Sequence, residues 1–243
     1  MNPDDLWMRR KVGINSPDGQ DHQIWRFMDF PKFVSMLQKQ SLWFTRLDQF
    51  LDPYEGMLTK PTAEFFEETK WRGGVHYEKF RKHHCVNCWH MNDYESAAMW
   101  ELYSKTDGVA IRSSLSRLQQ SFPETVPVRQ WGIRGDSVMY LDYDTQRTAS
   151  KTSEGLMMHL PGYLSKRLSF EHEREYRLAI GLEEHERESV GVLVPVLLEK
   201  LIERVVVSPT APPWMVELVR QEVKLYELDL PVAQSDLYSP YLK

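Results

Sequence analysis

The chain has 243 residues, 42% of them hydrophobic and 27% charged, with a formal net charge of −5; this is the composition of a folded globular protein rather than a disordered one, and its acidic balance argues against a general nucleic-acid coat, which needs a basic face. Two cysteines make no disulfide framework. The start, MNPDDLWMRRKVG, is not that of a signal peptide, and the longest apolar stretch, Val192 to Leu198, is too short to span a bilayer, so a cytoplasmic protein with no membrane partner is expected.

Residues 1–22 are expected to be a loosely ordered lead-in, and residues 23–243 a single domain. Ile24 to Met28 predicts a strand, and Asp29 is placed to cap a helix whose first turn holds Pro31. Phe30, Phe33, Val34 and Leu37 recur at helical spacing and predict one buried face. Leu42 to Leu47 predicts a second strand, followed by the turn-forming LDPYEG. Residues 62–83 predict helix broken at Gly73 and Gly74, and the basic run Lys79 to His84 fits a solvated helix end better than a phosphate site. A strand over Cys85 to Trp89, a helix from Glu95 to Ser104 and a strand over Val109 to Arg112 follow, with Gly108 ending the helical region. Val138 to Tyr143 alternates and predicts a sheet strand. Strands are also expected at Tyr176 to Ile180, Gly191 to Leu198 and Arg204 to Val207. A closing helix starts near Pro212 with Trp214, Leu218 and Val219 on its buried side. Strands and helices in this mixed order predict an α+β domain with a mixed or mostly antiparallel sheet, not a regular βαβ winding.

Two stretches carry unusual chemistry. Residues 166–180, KRLSFEHEREYRLAI, pack three acids and four bases around Phe170, Tyr176, Leu178 and Ile180. As a helix they would gain Arg167–Glu171 and Glu173–Arg177 pairs, each of about 0.2–0.5 kcal/mol. As a strand from Phe170 they sort into two faces, with Glu173, Glu175 and Arg177 on one side. A helix ending near Leu168 and a strand after it is the expectation. The carboxylates then need a partner in Arg177, Lys166 or a ligand, unless that side of the strand simply faces water. The second stretch is His83-His84-Cys85-Val86-Asn87-Cys88-Trp89-His90. Its C-x-x-C suits zinc in type, but in an extended segment the two thiols face opposite sides, and buried free cysteines are expected.

Four stretches taken together carry a resemblance: FTRLDQFLDPYEG; CWHMNDYESAAMWELYS with DGVAIRSS; VMYLDY; and KRLSFEHEREYRLAI with LIERVVVSP. They resemble a large prokaryotic family catalogued only as a domain of unknown function, often encoded near phage-defence genes. Its pattern has an acidic loop like Asp52-Pro53-Tyr54-Glu55, a helix like Met99-Trp100-x-x-Tyr103 and a late E-x-E-x-R, here Glu173, Glu175 and Arg177. Leu51 stands where Asn is common, and Tyr54 where Phe is usual. The match runs from about Ile24 to Leu225. The opening unit WRFMDFPKFVSMLQKQSLWFTR also resembles the start of an ADP-ribosyltransferase fold.

That second resemblance implies NAD as cosubstrate and cleavage of the nicotinamide–ribose bond by a toxin or phage-defence effector. It would have a protein or nucleic-acid acceptor, and an antitoxin or defence-complex partner. It implies Arg26 on the pyrophosphate, Tyr103 or Trp100 under the nicotinamide, and Glu173 or Glu175 as the carboxylate, with Glu55 as the further candidate. Asp52, Lys166 and Arg177 are expected at the same cleft, where Arg26 and Arg177 offset the acids. Plainer readings stand beside these roles: Trp100 and Tyr103 fit core packing with Met99, and Arg26 can ion-pair with Asp52 or Glu55. The competing functions are a nuclease gathering magnesium on Asp52, Glu55, Glu173 and Glu175 with Lys166 near the scissile phosphate, and a non-catalytic binding module.

Overall fold

Short apolar runs supply most of the strands, and side-chain caps mark the start of several helices. The computed structural model describes residues 12–69, 77–104, 107–124, 132–153 and 155–239. In chain order the elements are β1 (Val12–Ile14), β2 (Gln23–Asp29), α1 (Phe30–Lys39), β3 (Ser41–Arg46), α2 (Lys60–Glu68), α3 (Tyr77–His83), β4 (His84–Met91), α4 (Ala97–Tyr103), β5 (Gly108–Ser114) and α5 (Leu115–Gln120). They continue with β6 (Ile133–Ser137), β7 (Met139–Leu141), β8 (Ala149–Thr152), β9 (Gly155–Met158), β10 (Ser165–Arg167), β11 (Glu175–Gly181), β12 (Gly191–Pro195), α6 (Leu198–Leu201), β13 (Arg204–Val207), α7 (Pro213–Leu225) and β14 (Val232–Gln234). Sheet ladders are both parallel and antiparallel, so the chain is mixed α and β with a mixed sheet. No helix among the described residues is long and apolar enough to cross a membrane.

The chain divides into two compact units. One comprises residues 1–15, 44–87 and 128–192. In it β1 pairs parallel with β6 and β6 antiparallel with β11. The first half of β4 lies beside β11 and pairs antiparallel with β3. A parallel pair, β7 with β10, and the β8–β9 hairpin complete it. The other unit comprises residues 16–43, 88–127 and 193–243. There β2 pairs antiparallel with the second half of β4 and with β5, β5 with β13, and β13 runs parallel to β14. Its core includes Trp25, Phe27, Met99, Trp100, Ala110 and Val206.

Helix α1 starts as its sequence dictates: Asp29 accepts the Lys32 N–H at 2.8 Å, and a proline occupies the first turn. Its buried residues are Phe33, Met36 and Leu37. The helical stretch expected over 62–83 is α2 and α3, while Gly73 and Gly74 lie outside the described residues. Other boundaries move for local reasons. The strand expected over 138–143 stops at Leu141, because Asp142 accepts from Asp144 N–H and Thr145 Oγ1 and turns the chain. The strand expected over 191–198 stops at Pro195, which has no N–H to continue a ladder. In α7 the buried stripe is Met215, Val219 and Val223, and Trp214 is exposed, one position out of phase with the expected face. Strands β1 and β6 were not expected, and β6, IRGDS, has little apolar signature. It persists because Gly135 lets β11 approach, since a Cβ there would meet Tyr176 Oη at 2.7 Å and Leu178 Cδ2 at 2.9 Å.

The 166–180 stretch takes a different course from the one expected. Ser165–Arg167 is a strand, Leu168–Glu173 is a 3-10 helix, and β11 begins only at Glu175. Glu173 therefore does not lie on the strand. Leu168, Ser169, Glu171 and His172 of this turn are exposed, and Phe170 is half-buried. Arg174 then reverses the backbone in the left-handed region, at φ 40°, and leads into a strand whose seven residues are all buried.

Candidate functional site

The acidic loop is built by its own residues. Asp52 Oδ1 accepts the Tyr54 N–H at 3.0 Å, and Asp52 carbonyl accepts the Glu55 N–H at 3.2 Å, giving a tight turn. Gly56 follows at φ 73°, and a Cβ there would lie 3.0 Å from Leu47 Cδ1 and 3.1 Å from Arg81 Cγ. The turn buries Glu55 and leaves Tyr54 exposed.

Lys166 comes from β10, opposite Tyr140 of β7 in register. Arg177 comes from β11, two residues after Glu175, so the strand's pleat puts both on one face. Glu173 reaches them from the end of the 3-10 helix, because the left-handed residue between Glu173 and Glu175 redirects the chain. The phenolic oxygen of Tyr140 accepts the Glu175 N–H at 2.7 Å, fixing this junction.

These residues form a buried ionic cluster. Arg177 donates from Nε to Glu175 Oε1 at 2.8 Å and from Nη2 to Glu175 Oε2 at 2.9 Å, a bidentate pair. Nη2 also donates to Glu55 Oε1 at 3.0 Å, and Nη1 to the Tyr163 carbonyl at 3.0 Å. Glu55 Oε2 lies 2.9 Å from Arg177 Nη1 without an aligned hydrogen bond, a charge contact only. Lys166 Nζ donates to Glu173 Oε2 and lies 3.3 Å from Glu55 Oε1 and 3.4 Å from Glu175 Oε2. All five residues are between 0 and 7% exposed.

Among these five residues three carboxylates thus face two cations. Burial alone would pull the Lys166 ammonium's pKa down, but Glu175, Glu55 and Glu173 outweigh it and hold the group above the ordinary lysine value. Burial, reinforced by the nearby Glu175 and Glu173, raises the Tyr140 phenol above the usual tyrosine range. Aromatic rings border the cluster: Arg177 lies 5.9 Å from the Phe50 ring centre and Lys166 4.8 Å from that of Phe170.

The expected site residues separate into three groups. Glu55, Lys166, Glu173, Glu175 and Arg177 come together. Asp52, in the same unit, holds Arg167 through Oδ1 at 2.9 Å and Oδ2 at 3.2 Å. Arg26, Trp100 and Tyr103 belong to the other unit. There Arg26 donates to the Cys88 carbonyl at 2.9 Å and lies 5.9 Å from the Trp89 ring centre. Trp100 is a core residue, edge-on to Phe27 and donating to Glu95 Oε2 at 3.1 Å, while Tyr103 is exposed. Sequence reasoning passed over Arg167, Tyr140 and Phe170; the adjacent Lys166-Arg167 pair was the available signal, since neighbouring strand residues point to opposite faces.

Among the described residues no group of three or more His, Cys, Asp or Glu side chains is arranged to hold a metal ion. Each carboxylate of the magnesium reading is paired with a basic side chain. No family model, curated protein or solved structure matches the chain.

Proposed function

We propose that the protein is an NAD-dependent ADP-ribosyltransferase or NAD glycohydrolase, with an ADP-ribosyltransferase-like fold and a cytoplasmic effector role in toxicity or phage defence. The observation that carries this reading is the buried cluster of three carboxylates on two cations, bordered by aromatic rings. Carboxylates bordered by aromatic rings suit the pyridinium of NAD, which is both cationic and flat.

In the reaction, the bond between the nicotinamide nitrogen and ribose C1 breaks. The electron pair leaves with the ring as neutral nicotinamide, and positive charge develops on the ribose. A fixed carboxylate stabilises that charge, as in sugar hydrolysis. Glu173 is assigned this part because it is carried on an exposed 3-10 helix, whereas Glu55 and Glu175 both bind Arg177. Lys166 positions Glu173. Water, or a nucleophile on a protein or nucleic acid, then bonds to C1 and gives up its proton to a carboxylate. An antitoxin or defence-complex partner would belong to the same biology.

The test is nicotinamide release from NAD by the wild type, Glu173→Gln and Glu175→Gln, each with its thermal unfolding. Losing a transition-state carboxylate lowers turnover by about a hundredfold or more, so Glu173→Gln should do so while melting near the wild-type temperature. Absence of release by the wild type, with protein and nucleic-acid acceptors supplied, overturns the assignment. A second reading, a non-catalytic binding module that uses the cluster as an internal clamp, is favoured by the near-complete burial of all five groups. It gains if wild type turns over no NAD while both Gln variants lose stability.

A further inference from the structure

The residue next to Lys166 is also fixed, but at the surface. Arg167 gives Nε and Nη2 to the two oxygens of Asp52. Asp52 is itself fixed by the Tyr54 N–H, and its carboxylate is 7% exposed. The Arg167 guanidinium lies 4.6 Å from the Tyr54 ring centre and 5.4 Å from that of Phe170. Two aromatic rings and one bidentate carboxylate thus constrain a single long side chain. The side chain is nevertheless 35% exposed and Tyr54 is 46% exposed.

An exposed arginine ordinarily gives up its rotamer freedom when a ligand fixes it. Here folding has already done the ordering, which is preorganisation for binding. Asp52 offsets the arginine's charge, so a bare anion gains little. A ligand that also stacks a flat ring on exposed Tyr54 gains on both counts. Phosphate meets the outward guanidinium edge with the geometry arginine suits best. Phe170 links this surface to the buried cluster, because Lys166 Nζ and the Arg167 guanidinium both lie within 5.4 Å of its ring centre.

We infer that Arg167 and Tyr54 form a recognition site for a nucleoside diphosphate group, Arg167 binding phosphate and Tyr54 stacking against a ring. For the identity of the whole ligand this rests on the NAD reading, in which the group is the ADP half of the dinucleotide. Arg167 thereby takes the role that the sequence suggested for Arg26.

Calorimetric titration with ADP-ribose, which carries no nicotinamide to release, separates the two proposals, with inorganic pyrophosphate as the ring-free control. Wild type should bind ADP-ribose more tightly than pyrophosphate. Arg167→Lys keeps the charge but loses the fork and the stacking, and should weaken ADP-ribose binding at least tenfold. Tyr54→Leu, which leaves the Asp52–Arg167 pair in place, should weaken ADP-ribose but not pyrophosphate. In turnover the same variants should raise KM for NAD more than they lower kcat. If wild type binds no ADP-ribose, or if both folded variants bind it as wild type does, the inference is overturned. Arg167-dependent ADP-ribose binding without nicotinamide release upholds this site and removes the transferase reading. Turnover with KM unchanged in both variants does the reverse.

Discussion

At the scale of single residues, Arg177 is the side chain on which most of the ionic cluster depends. It is fully buried and spans Glu175, Glu55 and the Tyr163 carbonyl. Burying charge costs several kcal/mol per ion, recovered only while the partners stay together. Arg177→Met keeps the approximate length but takes the guanidinium away from Glu55 and Glu175. It should therefore lower unfolding free energy by about 3–5 kcal/mol, measured by urea denaturation. Glu173→Gln removes a charge paired with Lys166 but leaves the Arg177 pairs with Glu55 and Glu175 in place, and should cost less. A similar loss from both variants would mean that Glu173 is as structural as Arg177, against its assignment to chemistry.

At the scale of elements, the ends of α1 give opposite predictions. Asp29 caps the first turn through the Lys32 N–H, so Asp29→Ala should cost about 1 kcal/mol. Gln40 closes the helix at φ 44° with its N–H on the Leu37 carbonyl. The left-handed conformation costs a side-chain-bearing residue roughly 1–2 kcal/mol relative to glycine's freedom there. Gln40→Gly should thus stabilise, by up to about 1 kcal/mol, with the opposite sign to the cap deletion. Thermal unfolding of the two variants checks both signs. The same backbone region governs the 166–180 stretch, where Arg174 turns a surface 3-10 helix into a buried strand. A period-two reading could place Glu175 and Arg177 together, because they share a strand. It could not foresee that Glu173 arrives through a reversal, because φ above zero at a non-glycine residue leaves no compositional mark.

For the molecule as a whole, the buried titratable groups predict a stability plateau bounded on both sides. Burial holds the His84 imidazole below its ordinary value of 6.5, with its Nδ1–H on the Phe80 carbonyl opposing that and the neighbouring His83 adding to it; burial also lowers His83. A group with a depressed folded pKa leaves the unfolded chain binding more protons, so stability is present above 6.5 and declines as pH falls below it. Lys166 is raised, so its contribution is full below the ordinary value of 10.5 and is lost as pH rises past it. Burial raises Tyr140, Tyr143, Tyr163 and Tyr176, whose unfolded phenols release protons first, near 10.0, and this also lowers stability on the alkaline side. Urea midpoints should be flat between those limits and fall outside them. His84→Phe, which keeps a ring on Phe80, should flatten the acid side. An unchanged acid limb would assign that decline to other groups.

The sequence by itself determined those features whose cause is local. The apolar strands expected at Ile24–Met28 and Cys85–Trp89, the Asp29 cap, the Asp52 turn and the Glu175–Arg177 pairing each depend on neighbours within a few residues, and each was legible. Only the tertiary structure decided the rest. It assigned Arg26, Trp100 and Tyr103 to a different unit from the one that holds the carboxylates, and it made a strand of IRGDS because Gly135 admits β11. It also selected Met215, not Trp214, for the buried face of α7. Most consequentially, it brought Lys166 beneath Glu55, a residue 111 positions earlier in the chain. The physical reason is that a buried charge is stable only with partners at contact distance, and in this fold those partners come from a loop, two strands and a 3-10 helix whose meeting is written in no single stretch of sequence.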